Sequence, residues 1–332
     1  MNNTRILIAF LLFASAPFTG AATFTEDFSS DPARDGWRIF GDTNLFHWNN
    51  TNQNLEVTWD SSQSNSFFYH PLGTTLSKDD DFQISFDLMF YDIQSGVNPN
   101  KPDPLEVGIG LLNFGQASQS GYVRGLVSNA VNVAEFDYFP YAVDPVYGPI
   151  LETVSPTFIS TNFTFAYAFD NLVMTNNDVF HIHMAYTASN QTLITTMTLL
   201  TPTNEPFGPV DNVVLTDFST FTDFRVDTFS IDSYSDIGDN YDSLLAHGVV
   251  DNLSITIPPP PVSIITGGSA KGSYEVQFTS RTNWLYTLER TTDFRSWVNA
   301  TADTPGANGT LILSDTNAPA GRAFYRVRAT RP

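Results

Sequence analysis

Cysteine is absent from this 332-residue chain. The chain therefore cannot rely on disulfides, as small exported eukaryotic domains commonly do, and the composition suits an exported bacterial protein with a large core. Aromatic residues make up 14% of the chain, with 28 phenylalanines, whereas charged residues make up only 15%. This balance favours β-structure with a filled interior over disorder or a helical bundle.

Long apolar runs are also missing, apart from one at the amino terminus. Arg5 precedes the apolar residues 6–13, and small residues follow at 20–22. This is the pattern of a secretory signal peptide over residues 1–22, with the mature chain beginning near Ala22 or Thr23. No later stretch approaches the roughly 18 consecutive apolar residues that a membrane span needs. We therefore expect a soluble protein, secreted or periplasmic, without a membrane span.

Basic residues are few, since 15 Lys and Arg stand against 35 Asp and Glu. The imbalance lies before Ile264, where six basic and thirty acidic residues remain once Arg5 is removed with the signal peptide. Such a surface repels nucleic acids and acidic polysaccharides. Neutral glycans remain as candidate partners.

The chain changes character at residues 258–263, which include four consecutive prolines. From Ile264 onward eight basic residues stand against five acidic ones. A proline run cannot continue a sheet ladder and forms a stiff extended segment. The sequence thus predicts a large domain over residues 23–257 and a small one over 264–332, held apart by the linker. The alternative is a proline-rich edge loop within one domain.

Alternating apolar residues predict strands in both domains, and no helix longer than a turn or two is expected. In one of these strands Gly108 and Gly110 fall opposite the apolar face, where a neighbouring group could approach the backbone. The small domain alternates in the same way and suggests a compact immunoglobulin-like or fibronectin-like sandwich. The strands expected in the large domain are 82–90, 105–111, the hairpin 180–186 with 193–199, and 249–257.

Two carboxylates lie two residues apart in one predicted strand. Glu135 and Asp137 share one face of it, whereas Ala134, Phe136 and Tyr138 share the other. Acids this close repel each other unless something neutralises them. The sequence leaves three possibilities open, namely a bound cation, a proton shared for glycoside chemistry, or water on an exposed face.

These residues carry a family resemblance. Residues 133–138, followed by Asp144 and Pro145, resemble the metal-binding strand and loop of legume-type lectins of the concanavalin-like fold, and the hairpin at 181–196 is similar to their back-sheet pair. Residues 24–257 also resemble uncharacterised exported bacterial proteins of that superfamily. The resemblance implies an all-β protein, with a concanavalin-like jelly-roll sandwich followed by the small immunoglobulin-like sandwich. The latter is similar to carboxy-terminal domains of many exported bacterial proteins through the segments 288–297 and 324–327.

In that family the strand and loop hold a transition metal and calcium. Carried over by position, Glu135, Asp137 and Asp144 are the metal ligands, and Phe139 supplies a backbone carbonyl. The family's Asn is Tyr141 here, and its His has no counterpart. Hard oxygen donors suit calcium, with water completing the shell, whereas a transition-metal site without imidazole is not supported. The alternative is a solvated pair, or one bonded to neighbouring polar side chains.

The same acids permit an enzymatic interpretation. Laminarinase-type glycoside hydrolases share the fold and carry a further glutamate in the motif, but Phe139 or Pro140 stands at that place here. Without a second carboxylate about 5 Å away, a retaining mechanism lacks its proton donor. Polysaccharide lyases of this superfamily use a Tyr or His base, and Tyr138, His181 and His183 are of those types.

Two further features have both a functional and an ordinary interpretation, and a third has only an ordinary one. His181 and His183 could bind zinc, or they could lie on the polar face of a hairpin. The acidic segment from Asp232 to Asp242 could bind calcium, or it could be a solvated loop. The run of acids at 79–81 is most simply a turn whose charges keep other chains from pairing with the sheet edge.

Aromatic residues near the acid pair are candidate platforms for a sugar ring, with core packing as the alternative. The candidates that we place at the ligand are Tyr138, Tyr141 and Tyr147, and Trp48 and Trp59 are of the same kind. We therefore predict a non-catalytic, lectin-like protein that binds a neutral glycan, with calcium as a candidate cofactor. A polysaccharide-degrading enzyme and a structural or adhesive surface module remain the alternatives.

Overall fold

The computed structural model describes residues 22–95, 107–125, 128–140, 142–144, 148–150, 152–201, 203–235, 244–270, 272–319 and 321–332. The predicted all-β class is confirmed, because over these residues the regular structure is almost entirely strand and α1 (Phe114–Ala117) is a single helical turn. Short 3₁₀ turns occur at Pro32–Asp35, Thr43–Leu45 and Leu215–Asp217. Over the same ranges no helix has the length and apolar character to cross a membrane.

We call residues 22–257 the large unit. Its strands are β1 (Ala22–Glu26), β2 (Arg38–Phe40), β3 (Phe46–Asn49), β4 (Asn54–Asp60), β5 (Ser66–Leu76), β6 (Phe82–Ser95), β7 (Val107–Leu112), β8 (Val133–Phe139), β9 (Ala142–Asp144), β10 (Gly148–Ile150), β11 (Thr153–Ile159), β12 (Phe165–Tyr167), β13 (Phe180–Thr187), β14 (Thr192–Leu199), β15 (Glu205–Phe207), β16 (Val213–Val214), β17 (Val226–Ser233) and β18 (Leu244–Ile257).

Two antiparallel sheets form the large unit. Sheet A has the order β15-β14-β13-β6-β18-β4-β3, with β1 also paired to β18 and β16 to β14. Sheet B has the order β12-β11-β8-β7-β17-β5-β2. The short strands β9 and β10 pair with each other. The predicted hairpin is confirmed as β13 and β14, which pair over their whole length.

The inner faces of the two sheets share one aromatic-rich core. The alternation predicted for β6 is confirmed, since Phe82, Phe86 and Phe90 on its inner face have no exposed surface. Phe86 meets Phe136 of sheet B at 5.8 Å between ring centroids, and Phe90 stacks on Tyr138 at 5.5 Å. Burying such rings supplies the main stabilising free energy of a chain without disulfides.

A second, smaller core covers part of the outer face of sheet B. We call residues 113–125 and 128–132 the cover segment. Its Ala117, Tyr122 and Ala130 pack with Phe67 of β5 and Tyr234, which follows β17. Because side chains alternate along a strand, these contacts lie on the face opposite the main core. Part of this outer face is therefore interior rather than surface.

We call residues 263–332 the small unit. Its two sheets, in the orders β19-β20-β24 and β22-β21-β23 with β25 also paired to β21, enclose a core that includes Phe278, Tyr286 and Leu288. The strands are β19 (Ser263–Ala270), β20 (Ser273–Thr279), β21 (Leu285–Thr291), β22 (Val298–Asn299), β23 (Thr304–Pro305), β24 (Thr310–Asp315) and β25 (Phe324–Thr330).

The small unit docks directly on the large one, so the prediction that the proline linker holds them apart is wrong. Asp80 Oδ1 accepts a hydrogen bond from Arg281 Nη2 at 2.6 Å, and Asp80 Oδ2 forms an ion pair with Arg331. Only 2% of Asp80 is exposed. The guanidinium of Arg281 also donates to the carbonyl of Pro259, which ties the linker to the small unit. The acidic run at 79–81 is therefore more than a charged turn at a sheet edge, because its Asp80 binds the small unit.

Candidate functional site

The acid pair lies on the outer face of sheet B, as the alternation of β8 predicts. In the adjacent strands Gly108 is opposite Asp137 and Gly110 is opposite Glu135 on one side, and hydroxyl residues are opposite on the other. The two carboxylates are therefore neighbours on one face. However, both residues have no exposed surface, because the cover segment lies over them.

A guanidinium bridges the two carboxylates. Arg124 Nε donates to Glu135 Oε1 at 2.7 Å, and Arg124 Nη2 donates to Asp137 Oδ2 at 2.5 Å. The arginine belongs to the cover segment and is itself buried. Of the three possibilities left open by the sequence, a cation neutralises the pair, but this cation is a side chain of the same protein.

A third acid completes the buried cluster. The hydroxyl of Tyr234 lies 2.7 Å from Glu135 Oε2 and 3.2 Å from Asp232 Oδ2. Burial, and next the charge of Glu135, raise the pKa of Asp232 well above its ordinary value. Burial also raises the pKa of the Tyr234 phenol, which stays a neutral donor. We define the buried cluster as Arg124, Glu135, Asp137, Asp232 and Tyr234.

The residues present do not fit the metal ion that the resemblance implied. Arg124 occupies Glu135 Oε1 and Asp137 Oδ2, and Tyr234 donates to the second oxygen of Glu135. Within the described ranges no group of three or more His, Cys, Asp or Glu side chains is placed to hold a metal. For Asp144, the third predicted ligand, the structure describes the backbone, at the end of β9.

The predicted sugar platforms do not surround the acid pair. Tyr138 is on the inner face of β8, is 1% exposed and accepts a hydrogen bond from Met174 N–H at 3.3 Å. The prediction that it contacts a ligand is therefore wrong, because its ring belongs to the main core. Trp59 is likewise in that core. Tyr141 and Tyr147 lie outside the described residues, as do the acids of the predicted loop at 236–242.

The two histidines of the hairpin lie on the outer face of sheet A. His181 Nδ1 lies 2.6 Å from Asp87 Oδ1, whose second oxygen accepts from Asn252 Nδ2 at 2.8 Å. Burial, and next the neighbouring His181, lower the pKa of His183. This arrangement is the ordinary polar face of a hairpin, paired across the sheet, and not a zinc site.

Asp251 lies opposite Asp87 in the neighbouring strand and should make the stability of the protein depend on pH. Burial, with added repulsion from Asp87 and Asp27, raises the pKa of Asp251 from 3.8 to about 6. A pKa that is higher in the folded state means that the folded protein favours protonated Asp251. The stabilising contribution of Asp251 to the free energy of unfolding is therefore present below pH 4 and is lost as pH rises through 6. We expect Asp251→Asn to stabilise the protein by about 1 kcal/mol at pH 7.5, after allowing for solvent screening, and to change little at pH 4. Urea unfolding at both pH values measures this, and an equal effect at both would contradict it.

An open groove lies on the outer face of sheet B, beside α1 of the cover segment. This junction groove has a volume of about 490 Å³, which is within the usual range for small-ligand sites. It is bounded by both units. Its lining comprises Arg38, Tyr69, Pro71, Gly73, Thr74, Thr75, Phe114, Gly115, Asp227 and Thr228 of the large unit, Pro261 of the linker, and Trp284 and Ala329 of the small unit.

The junction groove combines aromatic rings with polar side chains. Tyr69 and Phe114 stack at 4.2 Å, and both are half-buried. Asp227 Oδ1 accepts from Phe114 N–H at 3.0 Å and thereby holds α1 against the sheet. The exposed guanidinium of Arg38 and the partly exposed carboxylate of Asp227 belong to the same lining. Rings beside such donors and acceptors form a surface suited to a ligand with both apolar and hydroxyl faces.

Sequence reasoning missed Arg124, Tyr234 and the groove, although a signal existed for the first. Arg124 is one of only six basic residues of the large unit, and glycines flank it at 121 and 125. A scarce cation near a predicted acidic strand is a candidate partner for it. Nothing in the pattern indicated that Tyr69 and Phe114 would meet.

The closeness of Gly108 to the buried cluster gives a direct test of its packing. A Cβ at Gly108 would lie 2.7 Å from Tyr234 Cε2 and 3.2 Å from Glu135 Oε2. We expect Gly108→Ala to lower the free energy of unfolding by about 1–3 kcal/mol, because the Tyr234 ring must move. Gly268→Ala is the control, since its Cβ would meet nothing within 4 Å. Equal unfolding midpoints for both variants in urea would refute the expected close packing.

Comparisons with known proteins give only distant structural similarity. No protein-family model matches this sequence, and neither does any curated protein. Among solved structures, the Lotus tetragonolobus seed lectin is 11% identical with a TM-score of 0.44, covering 71% of this chain and 98% of the lectin. Lectin I of Ulex europaeus, in complex with the methyl glycoside of α-L-fucose, is 14% identical with a TM-score of 0.43, covering 72% and 98%. A legume lectin-like domain of Entamoeba histolytica is 10% identical with a TM-score of 0.40, covering 70% and 95%. Similarity of this degree carries no assignment of function.

Proposed function

We propose that this protein is a carbohydrate-binding protein that takes a neutral glycan in the junction groove, without catalysis. The observation that carries the proposal is the aromatic pair Tyr69 and Phe114 beside polar side chains in an open groove. An aromatic ring packs against the apolar face of a pyranose, and the neighbouring side chains satisfy its hydroxyls.

The charges in the groove suit a neutral ligand. Arg38 is exposed, and Asp227 is partly exposed with only its Oδ1 engaged, by Phe114 N–H and the Thr228 hydroxyl, among the described residues. A guanidinium and a carboxylate together offer donors and acceptors for sugar hydroxyls with no excess charge. The acidic surface around them disfavours anionic polysaccharides.

A glycosidase mechanism at the buried cluster is not part of this proposal. Glu135 and Asp232 approach the same Tyr234 hydroxyl, so a second acid does lie near Glu135. Both residues are at most 1% exposed, however, and a glycosidic bond must contact both catalytic carboxyl groups. Export of the protein remains a prediction from residues 1–22, of which the structure describes only Ala22. The immunoglobulin-like assignment of the small unit also remains a prediction.

Glycan-array binding of the mature protein tests the proposal. We expect a neutral glycan to bind, and Tyr69→Ala to weaken binding by at least about 10-fold through loss of the ring contact. Tyr91→Ala is the matched control, because Tyr91 is 42% exposed on β6 in sheet A. We expect its affinity to stay within about twofold of the wild type. Thermal unfolding of each variant checks that the fold persists.

The structural or adhesive module is the second candidate function. The sealed part of the outer face of sheet B supports it, because Tyr122 and Tyr234 fill space that a cleft would need. If the mature protein binds no glycan on the array, carbohydrate binding is refuted and this alternative is favoured.

A further inference from the structure

The buried cluster requires a positive charge where Glu135 and Asp137 meet. Both acids are fully buried, and like charges at this spacing destabilise a fold unless a counter-charge holds them. Arg124 supplies it with two different nitrogens, each directed at one carboxylate. A bridging metal ion would make the same two contacts.

The local backbone is built to direct Arg124 inward. Gly121 has φ +81° and Gly125 has φ +76°, a left-handed conformation that other residues adopt at a cost. Between them the chain turns toward the sheet, and Asn65 Nδ2 donates to the Tyr122 carbonyl at 2.7 Å. These features place the guanidinium over the acid pair.

The cover segment depends on this contact for its central anchor. Its first part is fixed by Asp227 through Phe114 N–H, and its last part by Asn132, whose Oδ1 accepts from Arg225 N–H at 2.8 Å. Arg124 joins the middle of the segment to β8 through ion pairs with side chains at most 7% exposed. Buried charge-assisted pairs of this kind are stronger than exposed ones.

We infer that the Arg124 guanidinium takes the place of a metal ion in this chain, so that the acid pair and the cover segment are held together without calcium or a transition metal. The inference is independent of the proposed glycan binding, because it concerns the folded protein alone. It also predicts that the acid pair gains affinity for a metal ion when Arg124 is removed.

Thermal unfolding of the wild type tests whether the folded protein is held together without a metal ion. We expect the midpoint to change by less than about 1 °C between EDTA and millimolar Ca²⁺ or Zn²⁺. A metal that binds only the folded state at saturating concentration raises the midpoint by several degrees. Such a rise, abolished by Glu135→Gln, would overturn the inference.

Removal of the arginine tests whether Arg124 takes the place of a metal ion, with Tb³⁺ as the probe. We expect Arg124→Gly to bind Tb³⁺ with luminescence sensitised by the nearby tyrosines and to regain part of its lost midpoint with Tb³⁺ or Ca²⁺. Asp137→Asn in the same background should abolish both effects. A folded Arg124→Gly protein that neither binds Tb³⁺ nor gains stability from it would contradict the inference. If that variant does not fold, Arg124→Lys replaces it in the Tb³⁺ experiment, because a lysine keeps one charge but cannot bridge both acids. The wild-type chelation experiment then stands beside it as the second test.

Discussion

Replacing Arg124 with methionine is expected to lower the free energy of unfolding by about 3–5 kcal/mol. Methionine keeps much of the side-chain volume but removes the guanidinium that both buried carboxylates bind. Two negative charges would then remain in the interior without their cation, which costs far more than the loss of an exposed pair. Urea unfolding followed by tryptophan fluorescence measures the loss.

A matched control and a rescue make this prediction specific. Arg38→Met removes an arginine that is exposed in the junction groove, so we expect a change below about 0.5 kcal/mol. Adding Glu135→Gln and Asp137→Asn to Arg124→Met should recover much of the stability, because neutral groups no longer need the cation. A loss below about 1 kcal/mol for Arg124→Met alone would show that the ion pairs contribute little.

Replacing Asp80 with asparagine is expected to separate the two units in solution. Asp80 is buried and binds Arg281 and Arg331, and the side chain of Arg331 is only 5% exposed. Losing the carboxylate leaves two guanidinium groups at the interface without their counter-charge, at a cost of about 3 kcal/mol. We expect calorimetry to show two unfolding transitions instead of one, and the linker at 258–263 to become sensitive to protease.

The junction groove should disappear with the docking. Trp284 and Ala329 form its wall on the small unit, so glycan binding should fall even though both units stay folded. Asp79→Asn is the control, because Asp79 accepts only a 3.2 Å hydrogen bond from Asn283 across the interface and is exposed. A single transition and unchanged protease resistance in Asp80→Asn would mean that the anchor is not what joins the units.

The strands could be predicted because alternation records which face is buried. The apolar residues of β6 are the inner ones, and Gly108 and Gly110 face a close neighbour, both as expected. The same alternation placed Tyr138 with Phe136 rather than with Glu135, so its burial in the core followed from the pattern. Proposing it as a sugar platform gave nearness in sequence more weight than the direction of its side chain.

What lies over a sheet face could not be read from the strand itself. Alternation sets Glu135 and Asp137 on one face but does not say that residues 113–132 return to cover them, because that depends on tertiary packing. The docking of the small unit through Asp80 is of the same kind. Pairings between distant segments join residues such as Asp80 and Arg331, and no local pattern encodes them.

Hydrogen exchange of the protein, with and without the glycan that binds most strongly on the array, tests most directly where the ligand lies. The account predicts slower exchange on binding at residues 69–75, at 113–115 and near Trp284, which line the junction groove. Protection confined to residues 140–152, which follow the acid pair, would contradict it and return the site to the lectin-like position.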